Sequence, residues 1–196
     1  SNEQHQILRN IALQVANHFS IIGECNIQFA INPKNGDYRV IEMNARLSRS
    51  SALASKATGY PLAFIATKLA LGYHLCEIKN SVTQVTSAYF EPALDYIVVK
   101  IPRWDTHKLK AAERTIGTEM KSVGEVMAIG RSFPEALQKA VGMLNKGASC
   151  LMDYPEVIDN PRNEIQFATD RRLFALYQFF KNGGTVVQAQ NLSQIN

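Results

Sequence analysis

The stretch Gln28-Phe29-Ala30-Ile31, a turn from Asn32 to Asp37, and Tyr38-Arg39-Val40-Ile41-Glu42-Met43-Asn44-Ala45-Arg46 decides how this chain reads. Apolar and polar residues alternate on both sides of Pro33-Lys34-Asn35-Gly36, the pattern of a β-hairpin. Side chains two apart on a strand point the same way, so Glu42 and Asn44 share a face. Pairing across a loop centred near Asn35 sets Gln28 opposite Glu42. Three oxygen-bearing side chains then converge, with Arg46 and Arg49 just past the strand end. Hard oxygen ligands beside fixed positive charge suit Mg²⁺ carrying a polyphosphate.

Composition sets the outer limits. The chain has 196 residues, 46% of them hydrophobic, enough for a real core in one or two domains. No apolar run approaches the roughly 18 residues that span a bilayer, and no signal peptide is visible. Cys25, Cys76 and Cys150 are widely spaced and without histidine neighbours, which argues against a disulfide framework or zinc site and for a reducing, cytoplasmic setting. A net charge of +4 with scattered lysines and arginines gives no sign of nucleic-acid or membrane binding. His5, His18, His74 and His107 show no mutual spacing that suggests a site. There is no glycine-rich phosphate loop of either common type.

The pattern along the chain is α/β (α+β) in two unequal parts. Helical spacing of Ile7, Leu8, Ile11, Val15 and Phe19 predicts a helix over 5–19. A Ser/Arg-rich turn runs into a helix ending at Thr58-Gly59, and a second helix follows from Leu62 to Leu71. Strands are predicted over 88–101 and 122–129. Ser132 and Glu135 read as a capping box for a helix to about Leu144. Residues 153–169 read as a polar connector, and a further helix from Asp170 ends at Gly183-Gly184. Thr185 caps one more short helix. The boundary falls near Gly147.

Several strings closely resemble the carbamoyl-phosphate synthetase large subunit. They are Asn26 to Ala30, Ile41-Glu42-Met43-Asn44-Ala45-Arg46-Leu47-Ser48-Arg49-Ser50-Ser51 on to Gly59, Phe90 to Tyr96 with Lys100 to Trp104, and Met120 to Arg131. The Ser-Arg-Ser-Ser-Ala-Leu-Ala-Ser run is similar to the N-terminal half of that subunit, which forms carboxyphosphate. The resemblance implies that residues 1–147 are the C-terminal portion of an ATP-grasp domain, an antiparallel sheet with packed helices. Residues 148–196 would be the start of a small helical oligomerisation domain. It also implies that the phosphate loop and adenine-binding segment lie upstream of residue 1, so that this piece alone does not turn over ATP.

By the same resemblance the activity is that of an ATP-dependent carbon–nitrogen ligase. Bicarbonate is phosphorylated to carboxyphosphate, glutamine-derived ammonia gives carbamate, and carbamoyl phosphate follows, for pyrimidine or arginine biosynthesis. The cofactors are ATP and Mg²⁺ or Mn²⁺. The partners are a glutaminase subunit or fused glutaminase domain, the rest of the large subunit and further copies of it. The implied metal ligands are Gln28, Glu42 and Asn44, with Gln28 and Glu42 also toward ATP. Arg46 and Arg49 are the implied catalytic residues beside the phosphates. Ala45 departs from the proline of many bacterial members.

Phosphoryl transfer is mostly positioning and charge neutralisation, so the absence of a nucleophile–base set does not exclude an enzyme. Other readings stand beside this one. A polar trio on a hairpin is also what a solvated surface looks like, and both arginines could serve loop carbonyls. The tail after Gly147 could make the piece an interaction module. Another ATP-grasp carboxylase such as biotin carboxylase lacks the Ser-Arg-Ser-Ser-Ala-Leu-Ala-Ser-Lys-Ala-Thr-Gly string.

Overall fold

The computed structural model describes every residue except Lys110 and Asn196, with His107 described by its backbone alone. The chain divides into two units, Ser1–Leu94 and Asp95–Asn196. No described helix is long and apolar enough to cross a membrane.

The first unit opens with helix α1, Asn2–His18, capped by Ser1 and Gln4 in a reciprocal box. Strands β1, Asn26–Ile31, and β2, Tyr38–Asn44, form the expected antiparallel hairpin. Its turn is closed by the Asn32 amide donating to Asp37 O (2.7 Å), with Gly36 at φ +78 where a side chain would be strained. Helix α2, Arg49–Thr58, stops on Gly59, which takes the left-handed conformation and returns its N–H to Ser55 O (2.9 Å). Helix α3, Leu62–Ala70, follows Pro61.

A strand predicted from residue 88 does not form there. Residues 78–90 instead fold back on themselves: Ala88 N–H donates to Ile78 O (2.7 Å) and Tyr60 Oη to Ala88 O (2.9 Å). Ala88 and Ile78 are drawn onto Ile65 of α3 as a small core, so their apolar character serves a loop rather than a sheet. The strand begins later, as β3, Ile97–Arg103, in the second unit. It holds Pro102 inside its length, which a two-stranded sheet tolerates because each strand keeps a free edge.

β3 pairs antiparallel with β4, Gly124–Gly130, with Ile101 opposite Val126. Helix α4, Phe133–Met143, packs on this pair. Ser132 accepts from the Glu135 N–H (3.4 Å), but Glu135 reaches the Arg131 amide (2.9 Å) rather than that of Ser132, so the cap is one-sided. A Cβ on Gly130 would lie 2.8 Å from the Ala136 nitrogen, so the strand end and helix start meet with no room for a side chain.

Residues 153–169 are not all connector. Asn160 caps helix α5, Pro161–Gln166, with proline at its first position. Helices α6, Arg172–Lys181, and α7, Val186–Ser193, complete the unit, the latter capped by Thr185 as predicted, with Gln188 closing a reciprocal box. One core joins Ile101, Ala128, Ala140, Val141, Leu144, Leu151, Ile158, Ile165, Phe174, Ala175, Phe179 and Ala189. The compositional change near Gly147 thus lies inside this unit, between α4 and α5.

Candidate functional site

The hairpin register contains one irregularity, and it decides which side chains meet. Near the turn Ile31 pairs with Tyr38, Ala30 with Arg39 and Phe29 with Val40. Beyond a bulge the pairs are Gln28 with Glu42, Ile27 with Met43 and Asn26 with Asn44. Ile41 is the extra residue, and its side chain is 59% exposed. Because side chains alternate with period two, one inserted residue moves everything beyond it to the other face. Asn26, Gln28, Ala30, Arg39, Glu42 and Asn44 then share one face, and Ile27, Phe29, Ile31, Tyr38, Val40 and Met43 the other. Were Ile41 instead paired with Gln28 in an unbroken ladder, Glu42 and Asn44 would fall on the side of Phe29.

Gln28 Nε2 donates to Glu42 Oε1 (2.7 Å), and Asn44 Nδ2 donates to the same oxygen (3.1 Å) and to Asn26 Oδ1 (3.4 Å). Glu42 Oε2 takes no hydrogen bond among the described residues. Arg46 links to this group through Nη2, which donates to Asn44 Oδ1 (3.3 Å), while Nη1 contacts Leu47 O (3.5 Å). It therefore serves a loop carbonyl and the polar face together. Arg49 is the first residue of α2 and exposed. The four groups Gln28, Glu42, Asn44 and Arg46 form one connected set, and Arg49 lies one helix cap away.

That cap is made of serines. Ser48 N–H donates to Ser51 Oγ (2.8 Å), Ser48 and Ser50 hydroxyls lie 2.6 Å apart, and Ser51 Oγ donates to Glu24 Oε1 (2.6 Å). Ser51 is 4% exposed and Glu24 lies just before β1. Sequence reading did not select Glu24, since its partner stands far along the chain.

Among the described residues no three His, Cys, Asp or Glu side chains group closely enough to hold a metal. A cation on this face would have one carboxylate and two amides, a set that fits Mg²⁺ or Mn²⁺ only with phosphate oxygens completing the shell. The amides now present N–H to Glu42, so both would turn their carbonyl oxygens inward.

Other residues take structural roles. Lys100 pairs with Glu125 (2.6 Å) across β3 and β4, and Lys121 Nζ holds Thr115 O (2.8 Å). Cys25 is half-buried, and burial, helped by Glu24, pushes its thiol pKa up, away from reactivity. In the second unit a cavity of about 370 Å³ is bordered by Trp104, Lys146 and Asp170. Arg114 grips both Asp170 oxygens (2.7 and 2.8 Å), and Thr106 adds a third bond (2.9 Å). Burial pushes the Asp170 carboxyl up, but these bonds outweigh it and hold its pKa below the ordinary value. Lys146 Nζ donates to Trp104 O (2.8 Å). This polar edge is internally satisfied.

Residues 1–78 match the family model described as carbamoyl-phosphate synthase L chain, ATP binding domain, and residues 125–196 match the carbamoyl-phosphate synthetase large chain, oligomerisation domain. The first span contains all of the hairpin site and both arginines. The chain is 53% identical, over all its length, to the carbamoyl phosphate synthase large chain, N-terminal section, of Methanopyrus kandleri, covering 35% of that protein. It is 51% identical to the multifunctional protein pyr-3 of Neurospora crassa (11% covered). It is 49% identical to the arginine-specific mitochondrial large chain of Schizosaccharomyces pombe (17% covered). The chain thus spans about a third of the first relative and less than a fifth of each of the other two. With two consecutive domains of one enzyme matched in order, and about half the residues shared along the full length, the chain belongs to the carbamoyl-phosphate synthase large-chain family.

Proposed function

We propose that in the intact large subunit this chain supplies the cation corner of the ATP site that phosphorylates bicarbonate. The observation that carries the reading is the convergence of Gln28 and Asn44 on one oxygen of Glu42, on a polar face that the bulge at Ile41 creates. The name of the Methanopyrus relative supports the carboxyphosphate-forming half.

In the reaction a bicarbonate oxygen forms a bond to the γ-phosphorus of ATP as the bond to ADP breaks. Ammonia then displaces phosphate from the carboxyphosphate to give carbamate. Mg²⁺ or Mn²⁺, when bound, neutralises the polyphosphate and draws charge from the transferred group. Glu42 holds the centre of the ligand set, and Gln28 and Asn44 fix its direction. Arg46 and Arg49 place positive charge where two anions must approach one another. Glutaminase-derived ammonia and a reducing, cytoplasmic setting are part of the same proposal.

The test is the Glu42→Gln variant of the full-length enzyme. Bicarbonate-dependent ATP hydrolysis is expected to fall about 100-fold or more, as when a donor aimed at transition-state charge is removed. Unchanged hydrolysis would refute the assignment. The oligomerisation-domain match favours a second role for the helices of the second unit in subunit assembly. Light scattering of the chain checks it, a strict monomer at high concentration counting against it.

A further inference from the structure

The link between Glu24 and Ser51 joins two parts of the chain that carry different halves of the candidate site. Glu24 is two residues before β1, whose Gln28 meets Glu42. Ser51 lies in the first turn of α2, two residues after Arg49. The Ser51 hydroxyl donates to Glu24 Oε1 (2.6 Å) and accepts the backbone N–H of Ser48 (2.8 Å), which lies in the turn between Arg46 and Arg49. The carboxylate can only accept, so the single Ser51 proton goes to Glu24 and the oxygen's lone pairs face the Ser48 N–H and, at 3.1 Å, the Ser48 hydroxyl, which gives the link one direction. Ser51 is buried at 4% exposure, and Glu24 Oε2 is buried with no hydrogen-bond partner among the described residues. A half-satisfied buried carboxylate is costly, and one whose single bond runs 27 residues along the chain spends that cost on geometry.

We propose that Glu24 is a positioning residue for phosphoryl transfer. Through Ser51 it clamps the turn carrying Arg46 and Arg49 to the strand carrying Gln28, so that the arginines and the cation corner address the same phosphate. The inference rests on the phosphoryl-transfer reading above.

The experiment measures bicarbonate-dependent ATP hydrolysis of the full-length enzyme in Glu24→Ala, Ser51→Ala, Glu24→Gln and the Arg46→Ala/Arg49→Ala background. Glu24→Ala and Ser51→Ala are each expected to lose about tenfold in kcat, a shift of about 1.4 kcal/mol. Their combination loses no more than either, because both break one link. Glu24→Gln, whose amide oxygen still accepts the Ser51 hydroxyl, stays within about twofold of wild type by the same argument. In the background without the two arginines, Glu24→Ala costs nothing further. A general defect in folding would instead cost the same in both backgrounds, and that result would overturn the proposal. So would wild-type activity of Glu24→Ala, or of Ser51→Ala should Glu24→Ala not fold. An active Glu42→Gln sinks the underlying reading. An inactive Glu42→Gln beside a fully active Glu24→Ala sinks this inference alone.

Discussion

The two units of this chain spend their apolar residues in opposite ways. In Ser1–Leu94 the buried apolar side chains among the described residues are Ile65, Ile78 and Ala88, away from the hairpin that carries the site. In Asp95–Asn196 fifteen apolar side chains among the described residues are buried, and twelve of them join in one cluster through β3, β4 and four helices. Where the core is deep, polar groups such as Asp170 are consumed by internal partners. Where it is thin, Gln28, Glu42, Arg46 and Arg49 remain exposed and Asn44 half-buried, which suits the ligand role proposed for them. Exposure of charged groups is what chemistry on anions requires, and a deep core is what stability requires. The chain divides the two tasks by region.

The contrast breaks most completely if one alanine is inserted between Ile41 and Glu42. With the single bulge kept, the alanine takes the place opposite Gln28, Glu42 moves opposite Ile27 onto the face of Phe29, and hydrolysis in the full-length enzyme should fall at least as far as in Glu42→Gln, about 100-fold or more. Circular dichroism should show the second unit's helices unaffected. Wild-type activity of the insertion variant would mean the register beyond the bulge has no functional weight.

A smaller effect belongs to the second unit. Asp170→Asn leaves Arg114 without its charged partner. Removing one partner of a buried pair costs about 3–5 kcal/mol, and Arg114, 31% exposed, lowers the expectation to about 2–3 kcal/mol in denaturant unfolding. The Asp170 pKa is depressed in the folded state, so this contribution is fully present above the unfolded aspartate value of about 3.9 and is lost as pH falls below it. The variant should therefore flatten the acid limb of the stability curve. No loss of stability near neutral pH would show the pair to be idle.

The least effect is expected at Ile41 itself. Replacement by threonine keeps the residue count and a β-branched, exposed side chain, so activity and stability should stay within about 0.5 kcal/mol of wild type. A large loss there would shift the weight from register to the isoleucine side chain.

Much of this architecture was written in local signals. Ser48, Gly59 and Thr185 mark their helix ends because caps and left-handed stops involve neighbours in sequence. The hairpin and the pairing of Gln28 with Glu42 followed from alternation and a turn. The bulge did not, since simple alternation from Tyr38 to Asn44 would put Val40 and Glu42 on one face. Only the hydrogen-bond ladder separates them. The segment around Ala88 misled because β-propensity measures how a residue packs, and here it packs on α3. Helix α5 hid behind its two prolines and short length, although Asn160-Pro161 is a start signal. The Glu24–Ser51 and Arg114–Asp170 links are invisible to spacing, because each joins residues far apart in the chain.

The most direct measurement is the position of the metal. Crystals of the intact large subunit with Mn²⁺ and a non-hydrolysable ATP analogue should show an anomalous peak coordinated by the Glu42 carboxylate, with Gln28 and Asn44 turned to offer their carbonyl oxygens. A peak held entirely by other residues, with Glu42 still bonded only to the two amides, would contradict the account.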